Sequence, residues 1–331
     1  MDRILLGHGS GGKLMHDLIR QYFSPAFGIE GAGDSAVVNV PSNRLAYTTD
    51  SYVVTPLFFP GGNIGDLAVN GTVNDLAVSG AVPLFLTVGF VIEEGFPFDD
   101  LKKIIASMSN AARKAAVKIV AGDTKVVNKG KADGIFINTS GIGVLPGERW
   151  IAASLIRQGD KVIISGEIGS HGVAVMAERN GLTFAPPVIS DTRALNGIVR
   201  EMYDVASDIH FMRDPTRGGL ATTLKEAALE SKLCIRIREQ SLPIPPGVKG
   251  ACGLLGLDPL FVANEGILIA VVKASDAEAI TSAMRKHEHG RHAAIIGEIA
   301  DAPSGVVLLE TTIGGTRIID MLQGEQLPRI C

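Results

Sequence analysis

Four aspartates, a glutamate, two lysines and an arginine stand beside glycines or at the ends of apolar runs, and a cysteine closes the chain. Carboxylates, cations and close-approach glycines are the residue types that handle a magnesium-bound phosphate. In Gly7-His8-Gly9-Ser10-Gly11-Gly12-Lys13 the glycines precede an amphipathic helical pattern, Leu14 to Tyr22. Gly9, Gly11 and Gly12 let the backbone approach an oxyanion with its N–H groups inward, and Lys13 adds positive potential at the helix start. The spacing is not GxxxxGK[ST], and a flexible N-terminal loop accounts for the same residues.

The acidic positions extend that chemistry. Asp34, in Gly33-Asp34-Ser35-Ala36, and Asp50, in Thr48-Thr49-Asp50-Ser51, fall at the two ends of an expected hairpin, where strand termini bring carboxylates together. Asp75 follows on a helical pattern from Asn63 to Gly80, along which Asn63, Asp66, Asn70 and Asn74 recur at three- and four-residue steps as one polar stripe. A solvated face is the ordinary explanation, yet Asn and Asp form helices poorly and a wet face favours Glu, Lys, Gln or Arg. Short carboxylates and amides suit a face that closes over a hard cation such as magnesium and over polar ligand groups. Lys125, in Ala121-Gly122-Asp123-Thr124-Lys125, is a second cation, and a tight surface turn explains that segment equally well. Asp214-Pro215-Thr216-Arg217-Gly218-Gly219 offers Asp214, Arg217 and two glycines where a helix begins, and reads also as a plain helix-start turn. Glu265, at the lip of an apolar strand, is a candidate base or a rim carboxylate. His210 is a second proton-transfer candidate, although a lone histidine is more often structural.

The last residues, Leu327-Pro328-Arg329-Ile330-Cys331, follow Gly324 with too little apolar content to join a core. The expected result is a mobile tail over 321–331 that swings about Gly324, with Cys331 either a group carrier or an incidental terminal thiol.

At 331 residues the chain exceeds the size at which one core stops growing, so two domains are expected, 1–150 and 151–320, each α/β and each with a full core. Strand-like runs at Ser35–Val40, Arg44–Tyr52, Leu84–Ile92 and Gly134–Val144 alternate with helical patterns at Asn63–Gly80 and Asp99–Ala116. A turn at Leu145-Pro146-Gly147-Glu148 opens the second half, whose helical patterns lie near Gly172–Asn180, Thr192–Ala206, Gly218–Ser231 and Ser275–His287. Its strands are expected at Lys161–Ser165, Leu233–Arg238, Gly266–Val272 and Val306–Leu309. Net charge is −4, from 31 basic and 35 acidic residues without a Lys/Arg cluster, so neither nucleic acid nor an anionic membrane is expected as a partner. The uncharged stretch Leu76–Ile92 is split by Pro83 into a helix end and a buried strand. Three cysteines without CxxC spacing point away from zinc and disulfides, and with no secretory signal they place the chain in a reducing cytoplasm.

Taken in order, residues 7–13, 33–36, 48–51, the stripe through Asn74-Asp75, 121–125 and 214–219 resemble the aminoimidazole ribonucleotide synthetase (PurM-like) superfamily over nearly the whole chain. The ending Pro328-Arg329-Ile330-Cys331 is similar to that of the HypE family, the carbamoyl dehydratases of [NiFe] hydrogenase maturation. The resemblance implies a two-domain PurM-like α/β (α+β) fold, a mixed-sheet dimerising first domain and a homodimer that binds ATP in the groove between partners. It further implies that Asp34, Asp50, Asp75 and Asp214 hold magnesium and that Lys13 and Lys125 face phosphates. Cys331 would receive a carbamoyl group from the carbamoyltransferase HypF, ATP would drive dehydration to a thiocyanate, and the cyano group would pass to a HypC–HypD complex. Two rivals share the superfamily. A selenophosphate synthetase carries its reactive residue beside the glycine-rich loop, where residues 7–13 have no cysteine, and thiamine-monophosphate kinase has no use for a terminal thiol. A non-catalytic scaffold with a docking tail is the third reading.

Overall fold

The computed structural model describes residues 3–10, 12–29, 35–321 and 330; Gly11, Asp34, Gly324 and Cys331 lie outside the described residues. The first half runs α1 (Lys13–Leu18), α2 (Ser24–Phe27), β1 (Leu45–Tyr52), a two-rung ladder of β2 (Phe58–Phe59) and β3 (Gly62–Asn63), α3 (Ile64–Val78), β4 (Val82–Glu93), α4 (Phe98–Lys114), β5 (Lys118–Val127) and β6 (Ile135–Val144). The second half runs β7 (Lys161–Ile164), α5 (Ser170–Arg179), α6 (Asn196–Val205), β8 (Ile209–Arg213), α7 (Gly219–Ser231), β9 (Cys234–Arg238), α8 (Pro246–Leu255), β10 (Ile269–Val272), α9 (Ala277–Lys286), β11 (Ala294–Ala300), β12 (Val307–Glu310) and β13 (Thr316–Ile319).

Strand order is β1-β6-β4-β5 in the first sheet and β13-β12-β9-β11-β7-β10-β8 in the second. Both sheets are mixed: β4–β5 and β9–β12 pair in parallel and the other ladders are antiparallel. In β1 the period-two alternation turns Ala46, Thr48, Asp50 and Tyr52 inward and leaves Leu45, Tyr47, Thr49 and Ser51 exposed. The inward face carries α3 and α4. The outward face, with Tyr47, Ser51, Thr87, Asn138, Asp123 and Lys125, is exposed.

Helix α4 is an ordinary amphipathic helix: Leu101, Ile104, Ile105 and Met108 are buried, Asp99 and Asp100 stand in the first turn, and Arg113 and Lys114 in the last, each sign matched to the helix dipole. Helix α3 is different, because only Asp66 and Asp75 escape full burial. Asn63 caps it by accepting from the Gly65 N–H at 2.8 Å, while Asp66 accepts from the Asn63 N–H at 3.0 Å. The polar stripe is therefore neither wet nor a ligand face. It is a seam: Asn70 donates to Thr192 Oγ1 at 3.4 Å, and Asn74 donates to the carbonyls of Arg193 and Glu265 at 3.1 and 3.2 Å while accepting from the Leu195 N–H at 2.8 Å. Ala77 and Val78, at the end of α3, share one apolar cluster with Leu195, Ile198 and Val199 of the second half.

Two expectations are corrected. Residues 35–40 form no strand, and Val37 is 96% exposed; β1 pairs with β6 along its whole length, so the hairpin meant to join Asp34 to Asp50 does not form. Each half carries a large apolar cluster of its own, and Val175 and Ala263 of the second half also join that of the first. Ile330, counted as part of a core-free tail, is only 4% exposed and belongs to that same cluster. One large β-branched side chain is enough to dock a segment when a preformed apolar site receives it. Among the described residues no helix is long and apolar enough to cross a membrane.

Replacing Asn74 by Ala strands the buried Leu195 N–H and two carbonyls. We expect a loss of roughly 2–4 kcal/mol, read as a lowered urea midpoint.

Candidate active site

Where the halves meet, a cavity of about 380 Å³ is lined from the first half by Asp50, Ser51, Tyr52, Gly71 and Asp75, and from the second by Arg213, Asp214, Thr216, Arg217, Thr223, Glu226 and Glu265. Asp50 and Tyr52 arrive through the inward alternation of β1. Asp75 arrives on α3, where Thr48 donates to its Oδ2 at 2.8 Å. Tyr52 lies directly over α3 and donates to Asp50 Oδ2 at 3.2 Å. Gly71 makes that possible, because a Cβ there would stand 2.1 Å from the tyrosine oxygen.

Asp214 follows the last residue of β8, and the chain turns into α7 through Gly218 and Gly219, both left-handed at φ 72° and 61°. A Cβ on Gly219 would meet the carbonyls of Leu260 and Val262 at 2.6 Å, so glycine is needed for close packing. Asn264 fixes this turn by donating to the Pro215 carbonyl at 2.8 Å and accepting from the Gly169 N–H at 2.6 Å. Glu265 is next, and its turn is held by Asp191, whose carboxylate accepts from the N–H groups of Glu265 and Gly266 at 3.2 and 3.0 Å.

Burial and mutual repulsion dominate the electrostatics. Desolvation, then the charges of Asp214 and Asp50, push Asp75 up to about 7. Asp214 is raised to about 6, first by burial and then by Asp50. Glu265 is held well above the usual carboxylate range by burial, then by Asp214, Asp191 and Asp50, with Arg217 opposing. Its Oε1 is buried with no hydrogen-bond partner among the described residues. Tyr52 is raised likewise, by burial and then by Asp50 and Glu265. Three carboxylates that repel one another, beside Glu265, which is raised by burial first and by their charges second, form a site suited to a divalent cation and to proton transfer. Among the described residues no three His, Cys, Asp or Glu side chains converge tightly enough to hold a metal unaided. Magnesium fits such a donor set, since it keeps waters and takes part of its shell from phosphates.

Asp50, Asp75, Asp214, Arg217 and Glu265 are thus brought together, and Glu265 is a buried group rather than a rim one. Other expected residues fall elsewhere. His210 is not in the cavity: its Nδ1 lies 2.7 Å from Asp160 Oδ2 inside the second half, a buried pair that fixes β8. Asn74 spends its amide on backbone groups and positions Glu265 through the carbonyl it binds. Lys125 lies within β5 rather than in a turn; it projects from the exposed face opposite Asp50, with its ammonium 3.7 Å from Asp123. Gly9 packs on β5, where a Cβ would meet the Val126 nitrogen at 2.3 Å, while Gly12 and Lys13 are exposed at the start of α1. The glycine-rich segment therefore sits at the edge strand opposite β1, three inter-strand steps or about 14 Å away. Tyr52, Gly71, Arg213 and Asp191 were not singled out by sequence. Ser190-Asp191-Thr192 carries a polar cluster but no spacing that sets it apart from a surface turn.

Sequence comparison finds the AIR synthase related protein N-terminal domain at residues 32–145 and its C-terminal domain at 157–310. Carbamoyl dehydratase HypE of Rhizobium leguminosarum bv. viciae is 51% identical over 333 residues, covering 99% of this chain and 95% of the relative. This chain belongs to the HypE carbamoyl dehydratase family. Its fold is the PurM-like α/β fold of hydrogenase maturation protein HypE in complex with ATP, with a TM-score of 0.95 and 46% identity over 99% of both chains. A HypE chain from a HypE–HypF complex matches with a TM-score of 0.82 and 48% identity, covering 92% of this chain and 99% of that one. Thiamine-monophosphate kinase from Stenotrophomonas maltophilia K279a, at 17% identity and TM-score 0.64 over 85% of this chain and 89% of that one, shares the fold alone. Family membership makes the chain an enzyme of hydrogenase maturation and disfavours the kinase, synthetase and scaffold readings.

The raised Asp75 carries a pH signature. Between the unfolded value of about 3.9 and the native value of about 7 the folded state binds more protons, so this group lowers stability as pH rises through that window. Asp75→Asn should raise the melting temperature of the metal- and nucleotide-free protein at pH 8, with the gain shrinking towards pH 4.

Proposed function

We propose that the protein uses ATP to dehydrate a carbamoyl group carried on the Cys331 thiol to a cyano group, with the interhalf cavity as the site of proton and phosphate handling. The observation that carries this reading is Glu265, a buried carboxylate whose Oε1 has no hydrogen-bond partner among the described residues, in one cavity with Asp50, Asp75 and Asp214. Asp50, Asp75 and Asp214, together with Asp34, would hold magnesium, which when bound neutralises phosphate charge and orients the γ-phosphate. Arg217 and Arg213 supply further positive charge at the cavity wall.

An amide oxygen is a poor leaving group. Attack of the carbamoyl oxygen on the γ-phosphorus, with departure of ADP, turns it into a phosphate ester. Loss of both nitrogen protons and of phosphate then forms the C≡N bond, so the carbamoyl oxygen ends in inorganic phosphate. Glu265 is the proton acceptor in this scheme. Neutralisation of Asp214 and Asp50 would withdraw two of the charges that, after burial, raise Glu265, which favours its carboxylate form beside the substrate nitrogen. Tyr52 keeps Asp50 turned into the cavity.

The homodimer follows from what one chain leaves unfinished. Lys125 lies on the uncovered face, and Gly9 packs at the far edge of the first sheet, away from the carboxylates. A second copy packed face to face across a two-fold axis would bring its own far edge towards this chain's cavity and join the two halves of a nucleotide site. We assign 1–150 to ATP binding and dimerisation, 151–320 to the second unit and 321–331 to the carrier tail. Support comes from the gap between β6 and β7 and from the two AIR synthase related matches. HypF would load the thiol, as the HypE–HypF complex of a relative suggests, and a HypC–HypD complex would accept the cyano group. Two buried free thiols, Cys234 and Cys252, suit a reducing cytoplasm.

Intact-mass analysis after incubation with HypF, carbamoyl phosphate and ATP tests the reading: the chain should gain one carbamoyl group and then lose one water. Cys331→Ala should abolish both changes with ATP binding intact; normal modification of that variant would sink the carrier role. Asp50→Asn and Asp75→Asn should each weaken magnesium-dependent ATP binding by about tenfold, roughly 1.4 kcal/mol, in titration calorimetry. Glu265→Gln should bind ATP normally and slow dehydration by about 10²–10⁴.

A further inference from the structure

His171 is fully buried near the start of α5, and both ring nitrogens are in contact. Nδ1 lies 2.8 Å from Ser190 Oγ, and Nε2 lies 2.8 Å from the backbone carbonyl oxygen of Ile330, 159 positions away in the chain. The proton positions follow from the partners. A carbonyl only accepts, so Nε2 carries a proton; Ser190 Oγ accepts from the Thr192 N–H at 3.2 Å, leaving its own proton for Nδ1. Burial, which pushes the imidazole below its ordinary pKa, agrees with this neutral tautomer. Phe59 meets the ring edge-on at 5.4 Å, and the Ile330 side chain enters the cluster that includes Phe59, Val175 and Ala263.

We infer that His171 is a positioning residue for the carrier tail, reading the backbone carbonyl one residue before the thiol while the cluster around Val175 receives the Ile330 side chain. This rests on the proposed carrier role of Cys331. A carbonyl contact fixes the tail's register irrespective of the group on the thiol, and fixing residue 330 restrains the residue covalently joined to it. The receptor is also tied to the chemistry. Ser190, which orients the ring, adjoins Asp191, which holds the backbone of Glu265 and Gly266. Ser190 is in turn anchored by its N–H to the Pro60 carbonyl at 2.8 Å. Docking site and proton acceptor thus hang on one rigid segment. A histidine that served packing alone would satisfy its Nε2 from its own surroundings, not from the far end of the chain.

The test uses the full chain. Carboxypeptidase release of Cys331 and Ile330, followed by mass, should be about tenfold faster in His171→Ala and in Ile330→Gly, the upper range for losing one buried hydrogen bond or one apolar anchor. Single-turnover dehydration at saturating ATP should slow by a similar factor, with ATP affinity unchanged within twofold. His171→Gln, whose side-chain N–H reaches the same acceptor, should recover most of both. Release within twofold of wild type in folded His171→Ala would overturn the docking, and faster release with undiminished dehydration would overturn the positioning role. Because proteolysis involves no carbamoyl chemistry, a failed carrier reading leaves the docking result distinct. If His171→Ala does not fold, the wild-type imidazole decides: deleting Ile330 and Cys331 should speed solvent exchange of the His171 Nε2–H at least tenfold by NMR, and unchanged exchange would refute the contact.

Discussion

A buried amide holds the two halves in working register. Asn74, with no exposure, makes three hydrogen bonds to backbone groups of the opposite half, and one of them is the carbonyl of Glu265. A hydrophobic contact at that point would bind as well but would tolerate sliding. Three directional bonds do not, because displacement by an ångström leaves buried backbone groups unpaired. The all-buried character of α3 follows: flanked by β1, α4 and the 190–195 segment, it has no wet side to fill with Glu or Lys. Gly65 and Gly71 let α4 and Tyr52 approach, a Cβ at Gly65 standing 2.5 Å from the Ile104 carbonyl.

The cavity inherits its electrostatics from that seam. Joining Asp50 and Asp75 from one half to Asp214 and Glu265 from the other gathers like charges in a poorly solvated space: burial first, then Asp214 and Asp50, raise Asp75, and burial first, then Asp214, Asp191 and Asp50, raise Glu265. Folding alone gives no relief for this repulsion. A bound cation would relieve it, and the charges of Asp214 and Asp50 that such a cation would offset are among those that raise Glu265. Asp191 adds to the effect while it holds the Glu265 turn, which places Glu265 under both geometric and electrostatic control of a single short segment.

How far the sequence could be read depended on whether a residue's meaning was local. The cavity acids Asp50, Asp75 and Asp214 stand beside Thr, Asn or Pro-Thr-Arg-Gly-Gly at element ends, and local spacing exposed them. The amide stripe was visible as an anomaly because Asn is a poor helix former, but its purpose was not, since its partners at 192–195 and 265 lie more than a hundred positions on. His171 and Asp191 are of this second kind. A histidine in Ser-His-Gly-Val and an aspartate in Ser-Asp-Thr have no local mark, and only the fold sets them against Ile330 and Glu265. Residues 35–40 fail in the opposite way: a β-branched run suggested a strand, yet β6, nearly a hundred residues later, is the partner β1 takes. Ile330 was misjudged for want of one fact, that a site for a single isoleucine already existed in the first half's core.

The first sheet separates two kinds of chemistry by the alternation of its strands. Acids at Asp50 and, through α3, Asp75 point inward, while Asp123 and Lys125 project from the exposed face. A single sheet cannot direct both sets at one small ligand. On the proposed pairing this is no conflict: the exposed face meets its copy, the far edge of each sheet approaches the near edge of the other, and glycine loop, lysine and carboxylates converge from two chains. The same separation leaves the cavity acidic and short of cations: among the described residues its wall carries Arg213 and Arg217, with Arg213 already paired to Glu226 at 2.7 Å. A triphosphate would find too little positive charge there until a metal and a second subunit supply it. On that pairing, nucleotide binding and association of the two copies would be thermodynamically linked, each strengthening the other.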